Sequence, residues 1–321
     1  MKYIYIINGR ADKLPQYQEL HDQLKEIPHP HELYTTLGEG DATRFVYLYC
    51  DLHPEEEVCF VACGGLGITN EVASGLVGFN QVAKPSGNKA NKTMAILDFG
   101  GNTGDFLINY PDRDFRSVKD MLEGSVSNID ILKVNDSYCV NVCNIGFNSK
   151  VASRANELMS KGKSAHEAFT RGVVNAILTS RYNRIKVTVD GKRIAPGYMI
   201  LCTLANGQRV GGEFYTAPYA KLDDGLIEVC YFRAMSLLRF LQLIPLYRKG
   251  EHIGSRVGKN KILYRQAHEV TVTSKDLIDV YLDGEQLPGS KFEIKILAGA
   301  LPLRLPQIVK TTIDRLSSQK Q

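Results

Sequence analysis

Short apolar runs alternate with amphipathic stretches over the first hundred residues. Tyr3-Ile4-Tyr5-Ile6-Ile7 reads as a buried strand, followed by a turn at Asn8-Gly9-Arg10 and a helix from about Leu14. A second strand is predicted around Glu32 to Thr35. Gly40-Asp41-Ala42 then opens a helix, with Asp41 as an acid at its N-terminus. Val58 to Ala62 makes a third strand that ends in Gly64-Gly65, and Thr69 to Gly78 is the helix after it. The fourth strand, Met94 to Leu97, runs into another glycine turn at Gly100-Gly101. Alternation of this kind predicts a parallel sheet with crossover helices. Ligands of such sheets bind beyond the carboxyl ends of the strands, where these glycine turns fall.

Beyond about residue 125 the pattern changes. Ile185 to Val189, Met199 to Leu204, Leu226 to Phe232 and Val270 to Thr273 are β-rich. Asp-Gly pairs at 190–191, 224–225 and 283–284 read as hairpin turns, because both residues tolerate positive φ. Helices are predicted over Lys150 to Ser160, Ala165 to Ser180 and Ser236 to Arg248. The expected layout is an α/β domain over residues 1–125 and an antiparallel, β-rich domain with a few covering helices over 126–303.

Composition narrows this little. The 321 residues exceed what one core usually organises, and 44% hydrophobic with 23% charged residues is ordinary globular composition. The seven cysteines form no C-x-x-C pair, and their C-x3-C spacings lack histidine partners, so they read as small core hydrophobes. Without a signal-peptide pattern, a reducing cytoplasm is the expected compartment. No apolar stretch approaches the roughly 18 residues of a bilayer span. The longest, Leu237 to Leu246, is broken by Arg239, Gln242 and Pro245. A formal charge of +4 is too mild to imply nucleic acid, yet it allows contact with an anionic membrane surface.

Three polar segments carry candidate chemistry. Cys63-Gly64-Gly65-Leu66-Gly67-Ile68-Thr69-Asn70-Glu71 follows a strand and opens a helix, where glycines let backbone amides approach a phosphate; the competing reading is a tight turn. Gly100-Gly101-Asn102-Thr103-Gly104-Asp105-Phe106 repeats the device after the next strand, with Asp105 either holding a metal-bound water or capping a helix. Asn206-Gly207, Gly211-Gly212-Glu213 and Lys221-Leu222-Asp223-Asp224-Gly225-Leu226 form a turn-rich stretch. Its adjacent acids either bind a hard cation or make a solvated turn. Asp283-Gly284-Glu285 reads locally as a hairpin turn. The histidines are scattered, no G-x-S-x-G occurs, and no G-x-G-x-x-G follows the first strand, which excludes serine-hydrolase and Rossmann-dehydrogenase readings.

In this order, the segments resemble the diacylglycerol kinase-like lipid kinases, the family that includes sphingosine and ceramide kinases, over nearly the whole chain. Asn8-Gly9-Arg10 stands where the family has its Asn-Pro turn. Thr36 with Gly40-Asp41-Ala42 is similar to its Thr-then-Gly-Asp-Ala segment, and Gly64 to Val72 to Gly-Gly-Asp-Gly-Thr-x-Asn-Glu-Val. Gly101 to Phe106 resembles Gly-Thr-Gly-Asn-Asp-Phe. Asn144 to Phe147, Asn206-Gly207, Gly211-Gly212 and Ala217-Pro218 to Leu226 follow the family's substrate-domain pattern.

The resemblance implies ATP-dependent phosphorylation of a diacylglycerol-like lipid hydroxyl in a cleft between a nucleotide domain and a C-terminal β-sandwich domain, with 304–321 returning to the first. Its implied nucleotide contacts are Asn8, Gly9, Arg10, Thr36, Gly64, Gly65, Leu66, Gly67, Ile68, Glu71, Gly101, Asn102 and Thr103. Lys221, Asp224 and Leu226 are the implied Mg²⁺ ligands, the outer two through carbonyls. Glu285 matches the general base, with Asp283 beside it, and Asp105 organises the magnesium-water network. The substrate implies peripheral contact at the inner membrane surface, and an edge strand of the β domain leaves room for a homodimer.

The departures fall on the nucleotide side. Leu66 and Ile68 stand where the family has Asp and Thr, Asn102-Thr103-Gly104 replaces Thr-Gly-Asn, and Gly9 replaces Pro. Leucine neither takes a proton nor binds Mg²⁺ through water, so loss of that carboxylate is costly to phosphoryl transfer. This motivates an alternative, a catalytically impaired relative acting as a lipid- or nucleotide-binding sensor. A nicotinamide dinucleotide kinase shares the Gly-Gly-Asp-Gly turn but fits Asn70-Glu71-Val72 and Lys221 to Leu226 less well.

Overall fold

The computed structural model describes residues 1–9, 15–82, 91–98, 103–146, 154, 157–163, 167–168, 171–172, 185–194 and 198–309. The helices predicted over 150–160 and 165–180 lie largely outside them, as do Arg10, Gly101 and Asn102. Two compact units emerge: Met1–Ile129 with the chain from Leu301 on, and Asp130–Ala300.

The first unit is α/β. Strands β1 (Lys2–Ile7), β2 (His31–Thr35), β3 (Val58–Cys63) and β4 (Lys92–Leu97) pair in parallel in the order β2-β1-β3-β4. Leu303 and Arg304, near the end of β16 (Glu285–Leu305), add a further parallel ladder beside β4. The β1, β3 and β4 runs are continuous rather than alternating because nearly every residue in them is buried. Helices α1 (Pro15–Glu26), α2 (Asp41–Leu52) and α3 (Leu66–Val82) provide the crossovers, and α4 (Gly104–Leu107) and α5 (Val118–Leu122) follow β4.

Tyr17, Leu20 and Leu24 of α1 share a core with Tyr5, Cys59, Val61 and Leu97. Each such side chain contributes roughly 1.5–3 kcal/mol on burial. A charged group also lies in this unit. The buried Lys92 ammonium donates to the carbonyls of His53 (2.7 Å), Pro54 (3.4 Å) and Glu56, the turn leaving α2, and burial lowers its pKa.

The second unit is β-sandwich-like. One layer runs β14 (Ile262–Ala267), β13 (Ile227–Arg233), β10 (Met199–Ala205), β7 (Val142–Gly146), then the end of β15 (Glu269–Leu282). The start of β15 pairs instead with β8 (Lys186–Val189), which turns into β9 (Lys192–Ile194). The register shift between Thr273 and Ile278 separates the two pairings, so one strand serves both layers. The β5 (Ser125–Val134) and β6 (Ser137–Cys139) hairpin joins through β16. Residues of both layers, among them Leu132, Val187, Val272, Cys143, Cys202 and Val229, fill one core. Short β11 (Arg209–Val210) and β12 (Phe214–Tyr215) pair separately. Helix α6 (Leu237–Lys249) covers the outer face of β10 and β13 through Phe240, Leu243 and Tyr247.

All seven cysteines are buried free thiols. No helix among the described residues is long and apolar enough to cross a membrane.

Candidate functional site

In the first unit, four loops are tied in two pairs at the carboxyl edge of the parallel sheet. After β1, the Gly9 amide donates to the Thr36 hydroxyl (3.2 Å) at the end of β2, while the Thr36 amide donates to the Ile7 carbonyl (2.9 Å). A Cβ on Gly9 would stand 2.1 Å from the Thr36 carbonyl oxygen. Any side chain at this position, a proline ring included, would have to displace Thr36. After β3, the Gly64 amide donates to the Leu97 carbonyl at the end of β4 (3.2 Å), and the buried Thr103 hydroxyl donates to the Gly64 carbonyl (2.9 Å). Gly64 has φ 149°, a region that favours glycine, and a Cβ there would meet Ile68 at 2.9 Å.

These ties deliver the chain directly into α3, which begins at Leu66 rather than at Thr69. The first amides of a 17-residue helix therefore open just after Gly64-Gly65. Leu66 and Ile68 are turned inward, 6% and 5% exposed, so this turn is lined by aliphatic side chains in place of a carboxylate and a hydroxyl. Asp105, in the first turn of α4, is 5% exposed, and Asp98 follows β4 half-buried at the same edge. The Glu71 carboxylate accepts from the Ala42 amide (3.0 Å) and its carbonyl accepts from the Thr43 hydroxyl (3.0 Å), which fastens α3 to the start of α2. Asp41 is not free for a ligand either. It accepts from the Leu37 amide and the Tyr34 hydroxyl (2.9 Å each), bonds that with Arg44 hold its carboxyl below the usual range.

In the second unit, the segment Lys221 to Leu226 is held by an acid the sequence reading passed over. Asp130, buried in β5, accepts from the Gly225 amide (2.6 Å) and the Gly299 amide (2.8 Å), and its own amide donates to the Leu222 carbonyl (2.6 Å). The signal was available: an acid inside the apolar run Ile129-Asp130-Ile131-Leu132 demands a buried partner. Asn206 completes the frame, donating its side-chain amide to the carbonyls of Asp130 (2.8 Å) and Val140 (3.0 Å).

Asp224 accepts from the Leu226 amide (3.1 Å); burial, then the charge of Asp130, raises its carboxyl pKa. A half-buried carboxylate beside the buried Asp130, with backbone carbonyls of the same loop, is donor chemistry for a hard cation. Such a cation would rely on those carbonyls, since no group of three or more acids, histidines or cysteines converges among the described residues.

Asp283 and Glu285 flank Gly284 at the β15–β16 turn. The Asp283 carboxylate accepts from three successive amides, Val140 (2.7 Å), Asn141 (3.1 Å) and Val142 (2.9 Å), and burial pushes its pKa up to about 6 against that bonding. It fixes the turn that carries Glu285, which is half-buried.

The family model described as the YegS C-terminal NAD kinase beta sandwich-like domain matches residues 141–305, the bulk of the second unit. The chain belongs to the diacylglycerol kinase-like lipid kinase family. Within that family it is 26% identical over 305 residues to a "Probable lipid kinase YegS-like" of Chromohalobacter salexigens, spanning 94% of this chain and 92% of that one. It is 28% identical over 265 residues to the "Diacylglycerol kinase" of Bacillus subtilis, covering 80% of each. The crystal structure of a diacylglycerol kinase from Bacillus anthracis shares the fold, with TM-score 0.66 at 19% identity, over 96% of this chain and 98% of that one.

Proposed function

We propose that the protein transfers the γ-phosphoryl group of ATP to the hydroxyl of a diacylglycerol-like lipid. One observation carries this reading: the loops after β3 and β4 are hydrogen-bonded to each other at Gly64, where a long helix begins, and the loops after β1 and β2 are hydrogen-bonded to each other at the same edge of the sheet. That arrangement presents backbone amides to a polyphosphate and needs no carboxylate to do so. Asn8, Gly9, Thr36, Gly64, Gly65, Gly67 and Thr103 would line the nucleotide, with Arg10, Gly101 and Asn102 continuing the same loops. Leu66 and Ile68 contribute amides only. The γ-phosphorus–oxygen bond to ADP breaks as a bond forms to the lipid oxygen, and the hydroxyl proton passes to the Glu285 carboxylate. Asp283 positions Glu285 and does not take that proton, because its oxygens are engaged by amides.

Asp105 is the acid best supported to orient the magnesium of Mg-ATP, being buried in the loop that bonds Gly64. A second Mg²⁺ would bind Asp224 with the carbonyls of Lys221 and Leu226, where it would neutralise the Asp130–Asp224 repulsion and stiffen the loop. The relatives carry kinase names, so the alternative of a non-catalytic sensor gains no support from them.

The test is transfer of label from Mg-[γ-³²P]ATP to a detergent-dispersed lipid panel. Label enters an alcohol-bearing lipid with the wild type. Glu285→Gln lowers kcat at least about 100-fold. Leu66→Asp, which restores a carboxylate at the helix N-terminus, raises kcat about 10-fold or more. No labelled lipid from either the wild type or Leu66→Asp overturns the proposal.

A further inference from the structure

Helix α6 leaves one face unused. Phe240, Leu243 and Tyr247 bury its inner side against β10 and β13, while Leu238 and Leu241 stand 69% and 47% exposed, with Pro245 and Lys249 exposed beyond them. The spacing 238, 241, 245, 249 keeps all four on one side over about 16 Å of helix. Ser236 caps the start, its hydroxyl accepting from the Arg239 amide, and Gly250 ends the helix.

The charge around this face has one sign. Residues 237–261 contain Arg239, Arg248, Lys249, Arg256, Lys259 and Lys261 against Glu251 as the one acid. Arg248 is taken by Glu213 (2.6 Å), and Lys261 donates to the Ala234 carbonyl. The Arg239 guanidinium reaches back to the carbonyls of Val257 and Lys259 (2.7 Å each), which holds the 256–260 loop alongside the start of the helix. Exposed Arg256 and Lys259 belong to the loop that Arg239, next in the chain to Leu238, holds at the start of the helix, and exposed Lys249 closes the other end. The result is an apolar line with a cation at each end.

We propose that this face of α6 docks the second unit flat on an anionic lipid bilayer, Leu238 and Leu241 entering the acyl boundary and Lys249, Arg256 and Lys259 meeting phosphate headgroups. A second copy of the chain is a poorer occupant, because the same cations would face each other across the contact. The choice of a bilayer rests on the lipid-kinase reading, whose substrate is delivered from such a surface. Single leucines on a helix bind membranes weakly; the basic rim supplies the second signal that stable docking requires.

Cosedimentation of the full-length protein with phosphatidylcholine vesicles, with and without phosphatidylglycerol, tests this. The protein partitions onto the phosphatidylglycerol vesicles and comes off as salt rises. Leu238→Glu with Leu241→Glu weakens that partitioning about ten-fold or more, as does reversal of Lys249, Arg256 and Lys259 to Glu, which also flattens the salt dependence. Thermal midpoints of both variants stay at the wild-type value, because every altered side chain is exposed. Wild-type protein that ignores anionic vesicles, or variants that bind like wild type, overturns the surface. So does a wild-type dimer that the leucine variant dissociates while vesicle binding is unchanged. Turnover on detergent-dispersed lipid reads the kinase proposal separately: turnover without vesicle binding sinks the docking face alone, and vesicle binding without turnover sinks the kinase reading alone.

Discussion

At Gly9 a single missing methyl decides how two strands end. With a Cβ only 2.1 Å from the Thr36 carbonyl oxygen, Gly9→Ala must push β1 and β2 apart or lose the hydrogen bond to the Thr36 hydroxyl. The substitution costs about 1–3 kcal/mol by overpacking. Urea titration reads this directly, and an unchanged midpoint shows that the tie is not rigid. Position 66 works in the opposite sense. Its leucine is buried, 6% exposed, and packs where the family motif has a carboxylate. Asp130 shows why part of the site was invisible beforehand: its partners, Gly225 and Gly299, lie 95 and 169 residues away, and no local pattern reports such pairings.

Among the elements, the sequence spoke most clearly where geometry is local. Asp190-Gly191 and Asp283-Gly284 are hairpin turns with positive φ at both residues, as Asp-Gly between apolar runs predicts. Asp224-Gly225 carries the same dipeptide and is no hairpin; only Gly225 has positive φ, and the loop is shaped by Asp130 instead. The 21-residue β16 was not legible, because Pro288, Gly289 and Pro302 interrupt its alternation, although Pro288 and Gly289 still pair with β15 beside its register shift. Helix α3 starts three residues early because glycine is tolerated in a first turn, where its amide serves as well as any other.

The seam between α6 and β13 supplies a pH test. His252 is fully buried, stacked on Phe232 at 5.8 Å, and burial lowers its pKa from 6.5 to about 4. The folded state disfavours the extra proton, so its contribution is intact above pH 6.5 and is lost as pH falls towards 4. The loss amounts to roughly 3 kcal/mol. His252→Leu removes this component, and the difference in urea stability between the two proteins should narrow across that window. A constant difference from pH 7 to 4 contradicts a neutral, buried imidazole.

For the whole molecule, the parallel-sheet unit and the sandwich-like unit follow from the switch between helix-bearing and strand-bearing periods near residue 125, which is a global signal that survives local errors. What no period shows is which side chains face a ligand, and there the resemblance located loops while the structure showed which acids were already engaged. The proposed cation at Asp224 would be a whole-molecule property in the sense that it would shift folding. Mg²⁺ at about 100 times its Kd stabilises by about 2.7 kcal/mol. Thermal unfolding should therefore move upward by several degrees with Mg²⁺, and Asp224→Asn should abolish the shift. A variant that keeps it places the cation elsewhere.

The claim on which the rest depends is that the loops around Gly64 hold a nucleotide even though Leu66 replaces the family's carboxylate. Calorimetric titration of ATP into the purified protein, with and without Mg²⁺, addresses it most directly. Saturable, magnesium-enhanced binding that Gly64→Ala weakens is the predicted result. The absence of binding at millimolar ATP would contradict the account, because the proposed use of the tied loops as a nucleotide cradle would then fail.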